Sequence, residues 1–106
     1  MDSALFGSAI RTDTLVAIGR LGESYPRELG ALLGRAPTEI RRVVASLEDA
    51  GVIVTRLRGR TRLVTLNPRF PAKDALLHLL LQMSEWPKYE RIWKIRRRPR
   101  ASGKPL

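Results

Sequence analysis

The sequence predicts one mainly helical α+β domain, in which three helices, a β-hairpin and a further helical segment follow one another. Three observations indicate this class. Apolar residues recur at helical spacing in the first half, Gly59-Arg60 separates two runs rich in β-forming residues, and a leucine-rich stretch follows Pro71. The chain has 106 residues, of which 43% are hydrophobic. That is enough for a single buried core and too apolar for global disorder.

The first two helices begin and end at residues that favour helix termini. Ser8 suits the N-cap of a helix that runs to about Leu21, and Gly22 ends it. Pro26 suits the first turn of a second helix, and Gly34 closes that helix after about two turns.

A third helix is predicted from Pro37 to Ala50, with Gly51 as its stop. Its apolar positions form a single stripe, made of Ile40, Val43, Val44 and Leu47. A tight turn that contains glycine, Gly34-Arg35-Ala36, joins it to the second helix. Two short helices joined in this way form a helix-turn-helix arrangement.

The two β-forming runs, 52–58 and 61–67, predict the strands of a hairpin. Gly59-Arg60 suits a two-residue type II′ turn, in which the first position is glycine. Alternation along the strands gives the hairpin a core side and a more cationic side. The core side holds Ile53, Leu57, Val64 and Leu66, and the other side holds Val54, Arg56, Arg58, Leu63 and Thr65. Three helices followed by a hairpin is the order of a winged helix-turn-helix domain, expected over residues 1–70.

From residue 5 to about residue 70, the chain resembles the ArsR/MarR-type transcriptional regulators. The similarity lies in the opening Leu5-Phe6-Gly7-Ser8, in the segment 26–34 and in the ending of the third helix, LEDAGVI at 47–53. The resemblance implies a winged helix-turn-helix fold and DNA binding, with the third helix as the recognition helix. Ala36 departs from the family pattern, which has a Ser or Thr cap there. The start of the third helix is therefore expected to be weaker by about 0.5–2 kcal/mol.

The charge favours a polyanionic partner. Lys and Arg outnumber Asp and Glu by 20 to 10, and seven arginines lie between Arg35 and Arg62. Because a helix fits the major groove of B-DNA, the expected partner is double-stranded DNA. The recognition helix, 37–50, would enter the major groove, and the wing, 52–67, would contact the backbone or a minor groove. The candidate DNA-binding residues are Arg35, Pro37, Thr38, Glu39, Arg41, Arg42, Arg56, Arg58, Arg60 and Arg62, with Arg27 as a further backbone contact.

A C-terminal helical segment is predicted over 71–95, as a helix from about Ala72 to Glu85 and a continuation after Pro87 to about Ile95. Seven of the nine residues at 75–83 are apolar, so the helix needs a second covered face. We expect this to be a homodimer interface, with two recognition helices about 34–36 Å apart. The alternative is that every leucine serves a monomeric core. The candidate dimerisation residues are Leu76, Leu77, Leu80, Leu81 and Trp86.

The remaining features narrow the function class. The chain has no cysteine and one histidine, His78, so we expect no metal site and no cofactor. No nucleophile and base are recognisable, which argues against an enzyme. No signal segment or apolar run long enough for a bilayer occurs, so a cytoplasmic protein with no membrane partner is expected. Two alternatives stay open: a winged-helix module that binds a partner enzyme, and RNA binding through a disordered basic tail, 96–106.

Overall fold

The structure is a computed structural model that describes the backbone of residues 4–102 and the side chains of residues 4–94. Within these residues, five helices and one two-stranded antiparallel sheet occur in the predicted order. The helices are α1 (Ala9–Leu21), α2 (Pro26–Leu33), α3 (Pro37–Asp49), α4 (Lys73–Met83) and α5 (Pro87–Ser102), and the strands are β1 (Ile53–Arg58) and β2 (Thr61–Leu66). The predicted mainly helical α+β class, with three helices before the hairpin wing, is confirmed.

The ends of α1 and α2 lie where local chemistry predicts them. The Ser8 side chain accepts the backbone N–H of Arg11 at 3.2 Å and caps α1. Gly22 and Gly34 follow α1 and α2 with φ angles of 83° and 67°, conformations that residues with a Cβ rarely adopt. The backbone N–H of Gly34 donates to the Gly30 carbonyl and satisfies one terminal acceptor of α2.

The start of α3 compensates in part for the missing cap at Ala36. Alanine has no side-chain acceptor, but the Glu39 carboxylate accepts the backbone N–H of Ala36 at 3.1 Å. This is the return half of a capping box. Glu39 therefore has a structural role at the start of the helix.

The core lies between α1, the buried stripe of α3, the sheet and α4. Ile40, Val44 and Leu47 are buried and Val43 is partly buried, which confirms the predicted stripe. Gly19 allows α1 and α4 to approach closely, because a Cβ at this position would lie 2.8 Å from the Cβ of Leu80. Leu80 itself is fully buried. It belongs to the core of this chain, whereas the sequence predicted it at a dimer interface.

The hairpin has the predicted register and loop. Ile53 pairs with Leu66 and Arg58 with Thr61, which leaves Gly59-Arg60 as the loop. Gly59 has a φ of 62°, while no described residue other than glycine has a positive φ. This combination fits a type II′ turn, since a type I′ turn needs positive φ at both positions.

The predicted division of the hairpin into a core side and a cationic side is wrong at two leucines. Leu57, on the core side, is 62% exposed, because the hairpin extends past the core at its tip. Leu63, on the other side, is only 8% exposed. Ser24 and Val64 exchange two backbone hydrogen bonds, of 3.1 and 2.8 Å, in an antiparallel arrangement. This pairing brings the connection between α1 and α2 alongside β2. Tyr25 and Pro26 then lie near Leu63.

The helix α5 folds back onto its own domain. Its Tyr89 hydroxyl donates to the Asp13 carboxylate of α1 at 2.7 Å, and the Trp93 indole N–H donates to the Ser84 carbonyl at 2.8 Å. The backbone of α5 continues to Ser102, past the end predicted near Ile95. Residues 96–102 of the predicted disordered tail therefore have a helical backbone, and residues 103–106 lie outside the described residues.

Candidate nucleic-acid interface

The start of α3 presents polar and cationic side chains to solvent. Thr38, Arg41 and Arg42 are exposed, while Ile40 and Val44 between and beyond them are buried. The helical period thus separates an inward apolar stripe from an outward cationic flank. Pro37, the first residue of the helix, is partly buried. The exposed flank is the part of α3 that is free to contact another molecule.

The wing and α3 enclose a cationic concavity, which we call the arginine groove. It has a volume of about 590 Å³ and opens to solvent. Arg41 of α3 faces it from one side, and wing residues face it from the other. No acidic residue lines it. The lining residues are Tyr25, Pro26, Arg27, Arg41, Arg58, Arg60, Thr61, Arg62 and Leu63.

Two of the candidate arginines already form ion pairs with acidic residues of the same chain. The Arg56 guanidinium lies 2.9 Å from the Glu23 carboxylate, which joins β1 to the connection between α1 and α2. The Arg35 guanidinium lies 3.9 Å from Glu39, one helical turn away. Both pairs are partly exposed, so each contributes little to stability. They do lower the net positive charge that these two arginines offer to a polyanion.

Arg62 is held by side chains of the wing and of α3. Its guanidinium donates to the Thr55 hydroxyl at 3.1 Å, and that hydroxyl donates to the Glu48 carboxylate at 3.0 Å. The chain of hydrogen bonds links β2, β1 and the last turn of α3. It therefore restrains the angle between the wing and α3.

Three residues that shape this surface were not among the residues predicted from the sequence. Arg11 of α1 donates to the Ser46 hydroxyl on α3 and to the Phe6 carbonyl, and it thereby links the residues just before α1 to α3. Glu23 and Tyr25 adjoin the wing through the bridge at Ser24. Their wing partners lie more than 30 residues away, so no local pattern could reveal them.

The candidate dimerisation residues differ in exposure. Leu81 is 40% exposed, and Leu79, which the sequence analysis did not single out, is 38% exposed. Leu76, Leu77 and Trp86 are partly buried against the core. The apolar surface of α4 that remains accessible is therefore smaller than the sequence predicted.

Other kinds of site receive no support from the described residues. Within residues 4–94, no group of three or more His, Asp or Glu side chains is arranged to hold a metal ion. In the described part of the chain, no helix combines the length and the apolar character that crossing a membrane requires.

Comparison with known proteins identifies similar folds. No family model and no curated protein matches the chain by sequence. Three solved structures resemble it at TM-scores of 0.56–0.57. One is a MarR mutant from E. coli complexed with operator DNA, 19% identical over 82% of this chain. The others are a probable transcriptional regulator from Pseudomonas aeruginosa, 23% identical over 86%, and the regulator Tm0710 from Thermotoga maritima, 18% identical over 94%.

These similarities show a winged helix-turn-helix fold, as the resemblance in the sequence implied. The chain spans 62% of the E. coli structure, 76% of the P. aeruginosa structure and 79% of the T. maritima structure.

Proposed function

We propose that the protein binds double-stranded DNA with sequence preference and acts as a small transcriptional regulator. The observation that carries this proposal is the continuous cationic surface formed by the exposed flank of α3 and the wing. Within the described residues, the arginines at positions 41, 42, 58 and 60 form no ion pair with a carboxylate. Arginines that are not neutralised are the side chains best suited to phosphates and guanine edges.

The two parts of the surface are suited to different tasks. Arg41, Arg42 and Thr38 project from the first turns of α3, the part of a recognition helix that reaches base edges in a major groove. A bidentate contact between one of these arginines and guanine contributes about 1–3 kcal/mol of discrimination. The wing arginines at 58 and 60 project from a hairpin tip and are suited to phosphates or a narrow minor groove. Arg27 and Arg35 flank the helix and can add backbone contacts.

The fold of the relatives supports the same function. The E. coli structure of this fold holds operator DNA, and the other two are described as transcriptional regulators. Their similarity covers 82%, 86% and 94% of this chain.

We also propose that the DNA-binding form is a homodimer. Leu79 and Leu81 expose apolar surface on α4, and partly buried leucines at 76 and 77 adjoin them. A second copy related by a two-fold axis would cover this face and place two α3 helices on one side of a duplex.

A second candidate function follows from the same exposed leucines. If α4 binds a different protein, the chain is an interaction module and its arginines are incidental. Light scattering after size-exclusion chromatography separates the two: a homodimer supports the regulator, and a monomer that dimerises only with another protein supports the module.

Selection of duplexes from a random pool tests the proposed function. We expect the enriched sequences to share one motif with two-fold symmetry, because a symmetric dimer reads a symmetric site. The same selection with the Arg41→Ala/Arg42→Ala double variant should yield a weaker motif. A pool that stays random for the native protein would contradict sequence-specific binding. Binding to RNA that disappears when residues 96–106 are deleted would instead support the tail-driven alternative.

A further inference from the structure

The arginine groove concentrates positive charge in one part of the surface. Five guanidinium groups line one concavity of about 590 Å³, and none of the lining residues is acidic. Among residues 4–94, none of the five arginines is neutralised by an ion pair. A cleft with walls of one charge sign concentrates the electrostatic potential and raises the local concentration of counter-ions. The groove therefore has the charge that binding of an anion requires, independently of any duplex.

The number of arginines favours a compact anion with several charges. Along each strand of a duplex, one phosphate occurs per about 3.4 Å of helix axis, on a convex surface. A strand that crosses the rim of a concavity brings only a few phosphates to it. Linked phosphates in a small ligand can instead enter and contact guanidinium groups on several walls. Guanidinium is also the side chain that pairs with phosphate oxygens in a bidentate way.

The rim of the groove adds an aromatic and an apolar surface. Tyr25 is 37% exposed and lines the groove next to Pro26 and Leu63. An exposed tyrosine ring offers a stacking surface for a nucleobase. The Thr61 hydroxyl, also in the lining, can donate to a phosphate oxygen.

We propose that the arginine groove binds a compact oligophosphate, either free or carried by a nucleoside, and that this ligand competes with duplex DNA. The competition rests on the proposed function, because Arg41, Arg58 and Arg60 would serve both partners. Binding of the oligophosphate itself does not depend on DNA. The groove would then be the place where a small anion releases the regulator from its site.

Calorimetric titration of the full chain with inorganic tripolyphosphate, at constant ionic strength, tests the binding. We expect one ligand per protomer. The Arg27→Ala variant should bind about tenfold more weakly, a change of about 1.4 kcal/mol in binding free energy. Arg69→Ala is the matched control, because Arg69 is exposed and lies outside the groove. Its affinity should stay within twofold of the native value. Circular dichroism confirms that both variants are folded.

Two results would overturn the site. One is equal weakening by Arg27→Ala and Arg69→Ala, which would mean that only the total charge matters. The other is binding of sulfate as tight as that of tripolyphosphate, which would mean an adventitious ion only.

Two further titrations identify the source of the phosphate and test competition. A nucleoside triphosphate that binds more tightly than tripolyphosphate, with the gain lost in Tyr25→Ala and kept in Tyr25→Phe, assigns a nucleotide. Equal affinities for the nucleoside triphosphate and for tripolyphosphate would mean that the groove recognises the linked phosphates and not the nucleoside. In the competition arm, tripolyphosphate should displace a labelled duplex from the native protein, with an inhibition constant equal to the dissociation constant that calorimetry gives. Duplex that stays bound at saturating tripolyphosphate overturns the competition. If no duplex binds at all, the proposed function fails and the calorimetric result still decides the site.

Discussion

At the scale of single residues, Glu23 sets how much charge the wing offers. Its carboxylate lies 2.9 Å from the Arg56 guanidinium, and both side chains are well exposed. The pair therefore adds little stability, and its main effect is to neutralise one arginine next to the cationic surface.

Replacing Glu23 by glutamine should strengthen duplex binding. The change frees Arg56 to contact a phosphate, so the slope of log K against log salt should become steeper by about 0.9. Glu85→Gln removes the same charge from an exposed position on the α4–α5 connection and serves as the control. Identical slopes for the two variants would show that Arg56 does not take part in binding.

Tyr89 gives α5 a pH-dependent attachment to α1. Burial first, and then the hydrogen bond and charge of Asp13, raise the pKa of the Tyr89 hydroxyl above its usual value. The folded state therefore prefers the neutral phenol. Its contribution to stability is complete below the unfolded pKa of about 10 and is lost as the pH rises above that value.

The Tyr89→Phe variant should show the loss of this attachment directly. At pH 7 its free energy of unfolding should be lower by about 1.5–3 kcal/mol, the usual contribution of a hydrogen bond to a charged acceptor. Above pH 10 the difference from the native protein should shrink, because the native tyrosine begins to ionise in the unfolded state. Denaturant unfolding of both proteins at pH 7, 9 and 11 measures this difference in the free energy of unfolding. A difference that does not change with pH would contradict the account.

At the scale of secondary-structure elements, the proposed function gives α3 and the wing separate roles in DNA binding. The wing arginines at 58 and 60 lie on a hairpin tip that extends beyond the core, whereas Arg41 and Arg42 lie on a helix whose opposite face is buried. A hairpin tip suits contacts with the backbone, and the helix suits contacts with bases.

Replacing Arg58 and Arg60 together by alanine should weaken binding to all duplexes to a similar degree. The salt slope should become shallower by about 0.9 for each phosphate that the variant no longer neutralises. Equilibrium titrations with a selected and a scrambled duplex measure this, with Arg69→Ala as the control. A weakening confined to the selected duplex would assign the wing a role in base recognition instead.

Most element boundaries could be predicted from the sequence because their signals are local. Ser8, Pro26, Pro37 and the glycines that follow the helices each act within one turn, and the structure confirms them. The stripe of α3 was also predictable, since its period depends only on the helix. Leu63 and Leu57 were misplaced because strand alternation gives the side of the sheet and not what covers it. The chain at 24–26 lies near Leu63, whereas the hairpin tip extends past the core, which leaves Leu57 exposed.

The candidate site shows the same limit. The sequence predicted which arginines belong to α3 and the wing, and the structure brings Arg41, Arg58, Arg60 and Arg62 to one groove. It could not predict that Glu23 neutralises Arg56, because the two residues are far apart in the chain. Leu80 was assigned to a dimer interface for a related reason. The sequence of a leucine-rich helix does not show which of its faces packs against Gly19 of α1.

At the scale of the whole molecule, the proposed homodimer depends on the exposed leucines of α4. Light scattering should give twice the 12.0 kDa mass of one chain. Leu81→Asp should convert this species to monomer, because a charge on a buried interface is costly. Leu57→Asp, at the exposed hairpin tip, is the control and should leave the mass unchanged. A native chain that stays monomeric up to high concentration would contradict a homodimer.

The central claim is that the outward flank of α3 reads DNA sequence. The most direct measurement is the ratio of affinities for a selected and a scrambled duplex, at one salt concentration, for the native protein and for the Arg41→Ala/Arg42→Ala double variant. We expect the native protein to prefer the selected duplex, and the variant to lose about 1–3 kcal/mol of this discrimination for each arginine that no longer pairs with a base. An unchanged ratio in the variant, with the protein folded, would contradict the claim.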